Sequence, residues 1–168
     1  MKRSLLATSG VALLAAACGG NGGGSGGAYG AGNATPPTSA AAASPSSTAT
    51  TVAAGTSPLG QILVDSKGRS LYLFEADAAG KSTCTTSGCV AEWPPLLAKG
   101  TPQVGAGLAA AQLGTTTRAD GQQQVTYAGH PLYYFVGDGQ SGTTSGQGLN
   151  DNGGLWYTVH TDGTPVAS

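Results

Sequence analysis

Two stretches decide the fold: Leu71-Tyr72-Leu73-Phe74-Glu75-Ala76-Asp77 and Leu132-Tyr133-Tyr134-Phe135-Val136-Gly137-Asp138. Both read Leu-Tyr-x-Phe-x-x-Asp, and the second Tyr, Phe and Asp each stand 61 positions after the first. A Trp follows each copy, Trp93 and Trp156, 63 positions apart. Self-similarity at a fixed interval marks one supersecondary unit used twice. Successive side chains of a strand point to opposite faces, so Tyr72 and Phe74 share one face and Leu71 and Leu73 the other. Tyr133 and Phe135 likewise oppose Leu132, Tyr134 and Val136. Strands apolar on both faces are central ones. The Tyr72/Phe74 and Tyr133/Phe135 pairs are therefore expected to pack with the tryptophans about a pseudo-two-fold axis, as core in preference to an aromatic ligand site.

Outward from these stretches the period stays at two. Gln61-Ile62-Leu63-Val64 leads into the first copy through Asp65-Ser66-Lys67-Gly68, a hairpin signal. Gln123-Gln124-Val125-Thr126-Tyr127 leads into the second through Ala128-Gly129-His130. Thr115-Thr116-Thr117-Arg118 reaches that strand through Ala119-Asp120-Gly121, and Leu155-Trp156-Tyr157-Thr158-Val159 runs into the turn Thr161-Asp162-Gly163. The helix candidate is an Ala-rich patch over 108–112. The expectation is an all-β fold: a small antiparallel domain of two tandem hairpin repeats, about 60–98 and about 113–160, within residues 58–168.

Asp77 and Asp138 stand just past their strands, where an Asp accepts backbone N–H groups and shapes a turn. That turn role is the expectation. A paired-carboxylate site, as in a hydrolase of cell-wall polymer, would need the two to converge on one cleft.

The N-terminal third has another character. Residues 1–17 carry Lys2 and Arg3, then an apolar run of 13 residues and small side chains before Cys18, the three parts of a secretory signal peptide. The run is shorter than the ~20 residues that span a bilayer. Leu14-Ala15-Ala16-Ala17-Cys18-Gly19 resembles a bacterial lipobox, which implies acylation of Cys18 and anchorage to a membrane. Residues 19–57 are Gly, Ala, Ser, Thr and Pro with almost nothing to bury, so 18–57 is read as a lipidated Cys plus a disordered tether. Without Lys2 and Arg3, five basic residues face eight acidic ones. No Lys/Arg stripe runs through the sequence, which argues against nucleic acid as a partner.

With Cys18 assigned to lipid, Cys84 and Cys89 remain as a pair in an oxidising compartment, and a disulfide is expected. Their six-residue ring is worth only roughly 2 kcal/mol on the chain-entropy model. It would pin the loop leading to Trp93-Pro94-Pro95. A redox role is disfavoured by the C-x4-C spacing and by the lack of an adjoining His or basic residue. His130 and His160 are 30 apart with no spare Cys or Met, so no metal site and no cofactor are assigned. The Gly-rich stretch 137–154 lacks the spacing of a calcium loop, and no G-x-S-x-G or H-E-x-x-H motif occurs.

Together the signal with its lipobox, the low-complexity tether and the doubled motif resemble one bacterial family: predicted lipoproteins with a repeated Y-x-[FWY]-x-x-D motif, a secreted repeat family of unknown function. The resemblance extends over Cys84 and Cys89, Ala91-Glu92-Trp93-Pro94-Pro95 and Gly153-Gly154-Leu155-Trp156-Tyr157. It implies a cell-envelope lipoprotein and brings no catalytic residues or cofactor. The expected function is a non-enzymatic binding or interaction module on the extracytoplasmic side. Its partners are the membrane, through lipid, and an envelope protein or small ligand. The alternative is an envelope redox or metal-handling protein using Cys84/Cys89, or His130 with acids.

Overall fold

The computed structural model describes residues 49–78 and 80–167. The expected signal peptide, Cys18 and the tether as far as residue 48 lie outside the described residues. The strands are β1 (Thr51–Ser57), β2 (Gly60–Asp65), β3 (Tyr72–Phe74), β4 (Gln103–Val104), β5 (Leu113–Thr117), β6 (Gln123–Tyr127), β7 (His130–Pro131), β8 (Asn150–Asp151) and β9 (Gly154–Thr158). One short helix, α1 (Ser87–Glu92), lies between β3 and β4. The strands form three small sheets ordered β2-β1-β4, β3-β9-β8 and β5-β6-β7. All pairings are antiparallel except β1 with β4.

The domain begins earlier than the composition suggests. Residues 51–57, assigned to the tether, are strand β1, paired with β2 from Val52↔Asp65 to Ser57↔Gly60. Val52 is fully buried, and Gly55 is required because a Cβ there would lie 2.6 Å from Val64 Cγ1. A strand built from Thr, Ala, Gly and Ser has no apolar alternation, so its partner strand rather than its own composition makes it β. The second departure is α1, in a stretch read as a disulfide-pinned loop. The Thr86 side chain accepts the Cys89 N–H and caps it. At the Ala-rich patch only Ala110–Gln112 forms a turn of 3-10 helix. A third is the β8–β9 hairpin inside the Gly-rich stretch. Asn152 and Gly153 both take positive φ, 53° and 90°, the conformation of a type I′ turn for which Asn-Gly is the strongest short signal.

The two repeats are interlocked. Tyr72 and Tyr133 exchange backbone hydrogen bonds, each N–H to the other's carbonyl at 2.9 Å, so an approximate two-fold axis passes between them. Around it the strand bonding recurs in pairs. Leu71 N–H donates to Leu63 O, and Leu132 N–H to Val125 O, each at 3.0 Å. The segment following each Trp then crosses to the other repeat. Leu63 N–H donates to Val159 O, and Val125 N–H to Leu96 O, each at 2.8 Å. Glu75 N–H reaches Leu155 O, and Val136 N–H reaches Glu92 O. Each hairpin is thus completed by the closing segment of its twin.

The alternation along the motif strands separates two interiors. Leu71, Leu73 and Leu132 join Val52, Leu63, Leu96, Val125, Tyr127 and Val159 in an aliphatic cluster. Tyr72, Phe74 and Tyr133 join Trp93, Trp156 and the two cysteines in an aromatic one. At ~1.5–3 kcal/mol per buried large side chain, each cluster contributes on the scale of the whole net stability of a domain this size. Because both draw on both repeats, a chain cut to residues 49–109 is expected to stay unfolded. A dispersed amide NMR spectrum from that fragment would show instead that one repeat closes its own core.

Candidate functional site

The repeated motif forms an exchanged pair of hydrogen bonds on the aromatic face. The Tyr72 hydroxyl donates to Asp138 Oδ2 at 2.6 Å, and the Tyr133 hydroxyl donates to Asp77 Oδ2 at 2.7 Å. These are the lengths of charge-assisted O–H···O⁻ bonds. The other oxygen of each carboxylate organises its own loop. Asp77 Oδ1 accepts from the Thr83 N–H and hydroxyl, and Asp138 Oδ1 accepts from the Ser145 N–H. The expected turn role therefore describes half of each carboxylate, and the bond to the opposite tyrosine is the half that spacing within one copy could not reveal.

Burial, then the charge and hydrogen bond of the facing carboxylate, pushes both phenols far above their ordinary value. Each remains an O–H donor. The single Tyr133 proton goes to Asp77, so the Ser82 hydroxyl, 2.7 Å away, donates to the phenol oxygen and itself accepts from Arg118 Nη1. Arg118, 5% exposed, also binds Gln124 Oε1 and Cys84 O, tying the disulfide loop to the second repeat. Its Nε lies 3.6 Å from Asp120 Oδ2.

Phe74, Trp156 and Trp93 stack in that order with centroid spacings of 4.0 and 4.0 Å, and Phe135 lies against Trp93 at 4.4 Å, tilted by 31°. Each Phe therefore lies on the Trp of the other repeat. Tyr72 stands edge-on to Trp93 and Tyr133 edge-on to Trp156, geometries worth ~0.5–1.5 kcal/mol each beyond area burial. Asp151 secures both indoles, taking Trp93 Nε1–H on its carboxylate and Trp156 Nε1–H on its carbonyl. Gly146 closes the stack, because a Cβ there would lie 2.8 Å from the Trp93 ring. Cys84 and Cys89 form the expected disulfide, Cα–Cα 5.5 Å, both buried against these rings.

The motif residues form an interior and not a cleft. Asp77 opens onto a cavity shared with His130, whereas Asp138 opens onto one bounded by Arg69, Ser70, Pro94, Tyr134, Phe135 and Val136. The two carboxylates thus line different cavities. His160 Nδ1 lies 3.4 Å from Gln61 O, and among the described residues no three His, Cys, Asp or Glu side chains group to hold a metal.

The surface carries a feature with no sequence signature. A groove of about 360 Å³ is lined by Lys67, Arg69 and Lys99, with Tyr134, Leu97 and Thr50. The Arg69 guanidinium lies 3.9 Å over the Tyr134 ring, a cation–π contact. Asp65 holds this plate: Oδ2 accepts from Arg69 Nε and Nη2 and from the Tyr134 hydroxyl, and Oδ1 accepts from the N–H groups of Lys67 and Arg69. Burial alone would raise the Asp65 pKa, but those hydrogen bonds and the Arg69 charge outweigh it and hold the carboxyl below its ordinary value. Lys67 and Arg69 share the turn after β2 and Lys99 lies 30 residues further on, which is why a reading along the chain found no basic stripe.

Tyr72→Phe or Tyr133→Phe keeps the ring and leaves a half-buried carboxylate oxygen without its donor. Each is expected to lower stability by about 1–3 kcal/mol and Tm by several degrees in thermal denaturation; an unchanged Tm would mean that water replaces the phenol. The carboxylates should also titrate on opposite sides of 3.8. Asp65 is lowered, so its contribution is present above 3.8 and is lost as pH falls through its folded pKa. Asp77 is raised, by burial that its hydrogen bonds only partly offset, so its contribution is full below 3.8 and is lost as pH rises through its folded pKa. Carboxyl 13C shifts followed against pH would test the order, and Asp77 titrating below Asp65 would refute it.

A family described as a secreted repeat of unknown function matches residues 53–97 and 114–160, one match for each interlocked repeat. No curated protein and no solved structure shows significant similarity to the chain. The matched segments cover more than half of the sequence and hold every Tyr, Phe, Asp and Trp of the doubled motif, so the chain belongs to this family of secreted repeats.

Proposed function

We propose that the protein is a lipid-anchored, extracytoplasmic binding module with no catalytic role, and that its contact surface is the groove around Arg69 and Tyr134. The observation that carries this reading is a division of labour among side chains. The motif residues are committed to one another in the interior, so the reactive-looking groups are already partnered. The cations and an aromatic plate instead line a concave surface. Lys67 and Lys99 are exposed there, and the Asp65 charge is occupied by Arg69 and Tyr134. A pre-formed concavity with a few fixed polar groups is the ordinary form of a binding site. The anchor rests on the lipobox-like run ending at Cys18. Among the described residues no helix is long and apolar enough to cross a membrane.

Both halves of the proposal can be checked in the same protein. Cys18→Ala is expected to move the protein from the membrane fraction to the soluble one, and retention in the membrane would refute lipid anchorage. Residue-resolved amide NMR of the soluble form, titrated with envelope phospholipid, glycan and protein fractions in turn, should show shifts centred on Lys67, Arg69, Lys99 and Tyr134. Shifts confined to other faces, or none with any fraction, would remove the groove as the contact surface.

A further inference from the structure

We infer that the groove docks on the phosphate headgroups of an anionic phospholipid surface, with Lys67 and Lys99 meeting phosphates and Val136 entering the headgroup layer. This rests on the reading of the domain as a binding module and names what it binds. Residues 49–167 carry five cations against eight carboxylates, yet three of those cations border the groove. Arg69 and Asp65 neutralise each other at 2.7 Å. That leaves Lys67 and Lys99, exposed and with no side-chain partner among the described residues, as the local excess of positive charge. Single phosphates are bound by such ammonium groups as point charges.

The second observation is apolar. Val136 is 66% exposed, the most exposed large hydrophobic among the described residues. It lines a cavity of about 270 Å³ that shares Arg69 and Tyr134 with the basic groove. Cations and an amphipathic Tyr beside an exposed apolar tip are the side-chain set that settles at a membrane interface. The third observation is position. Thr50, at the start of the described chain, lines the same groove, and its hydroxyl accepts the Lys99 N–H at 2.8 Å. The chain that leads back to Cys18 thus joins the domain at the groove's rim. The tether expected from the Gly- and Pro-rich composition of residues 19–48 would reach roughly 30 Å, which would keep the groove within reach of a bilayer holding a lipid on Cys18. The net negative charge of the rest of the domain would keep its other faces away from an anionic surface.

The test uses the chain from residue 18 to 168 with Cys18→Ser, so that no acyl group contributes. Co-sedimentation with vesicles of phosphatidylglycerol mixed with phosphatidylcholine is compared with phosphatidylcholine alone, and glycerol 3-phosphate is titrated separately by amide NMR. Partition onto the anionic vesicles only is expected, weakening as salt rises. Lys67→Ala and Lys99→Ala should each reduce it about fivefold, and Val136→Ser should reduce it while leaving the NMR spectrum otherwise folded. Equal partition onto phosphatidylcholine, or partition indifferent to both lysines, would overturn the proposal. Shifts at Lys67 and Lys99 with glycerol 3-phosphate but no vesicle binding would also overturn it, while leaving a binding groove for a soluble phosphate ester. Groove shifts with a neutral glycan and none with either phosphate source would do the same.

Discussion

The structure depends on a constraint that neither repeat can meet alone: each tyrosine hydroxyl needs the aspartate of the other copy. A buried phenol without an acceptor is unfavourable, and so is a half-buried carboxylate without donors. Tyr72 with Asp138 and Tyr133 with Asp77 answer both needs at once. The exchange fixes which faces of the central strands meet. Once they meet, the tryptophans and phenylalanines have one place to stack, and the aliphatic residues on the reverse of the same strands close the second interior. The doubled motif is thus the contact set of a two-fold interface folded into one chain.

That arrangement gives residues of catalytic type a structural task. A general acid or base must reach a substrate proton, and it must be able to change protonation near working pH. The phenols here are held protonated and the carboxylates are occupied on both oxygens. The disulfide and Arg118 serve the same interior, since Arg118 joins the Cys84 carbonyl to Gln124 across the repeats. One break in the symmetry reaches the surface. Tyr134 stands where the first copy has Leu73, and its hydroxyl reaches Asp65 of the first hairpin. From that difference comes the aromatic plate under Arg69 and, beside it, the basic groove. The paired interior stabilises the fold, and the asymmetry at Tyr134 shapes the groove on its surface.

Much was legible along the chain because it depends on local spacing. The period of two, the turn residues, the doubled Leu-Tyr-x-Phe-x-x-Asp and the Cys84–Cys89 pair each state a relation between near neighbours or between copies at a fixed interval. They give an all-β domain of two repeats with aromatic and aliphatic faces, and the disulfide. Strand β1 escaped because Thr, Ala, Gly and Ser read as tether until β2 is beside them. Helix α1 escaped because its signal is one capping Thr86 inside a short ring. The Asn152-Gly153 hairpin carried a readable signal, submerged in a run of glycines.

Only tertiary structure decided which partner each side chain takes. No property of Asp77 by itself distinguishes Tyr72, five residues away, from Tyr133 on the other copy, because a carboxylate accepts from either. The choice follows from the antiparallel pairing of the two tyrosines, which aims each phenol across the axis. The gathering of Lys99 with Lys67 and Arg69 is likewise tertiary, since Lys67 and Arg69 share one turn after β2 and Lys99 is held by Thr50, just before the strand that pairs with β2. The sequence by itself determined the alternation, the repeat and the disulfide pair, which are written at the scale of a few residues. The exchange of partners and the groove it leaves depend on how two such units meet in space.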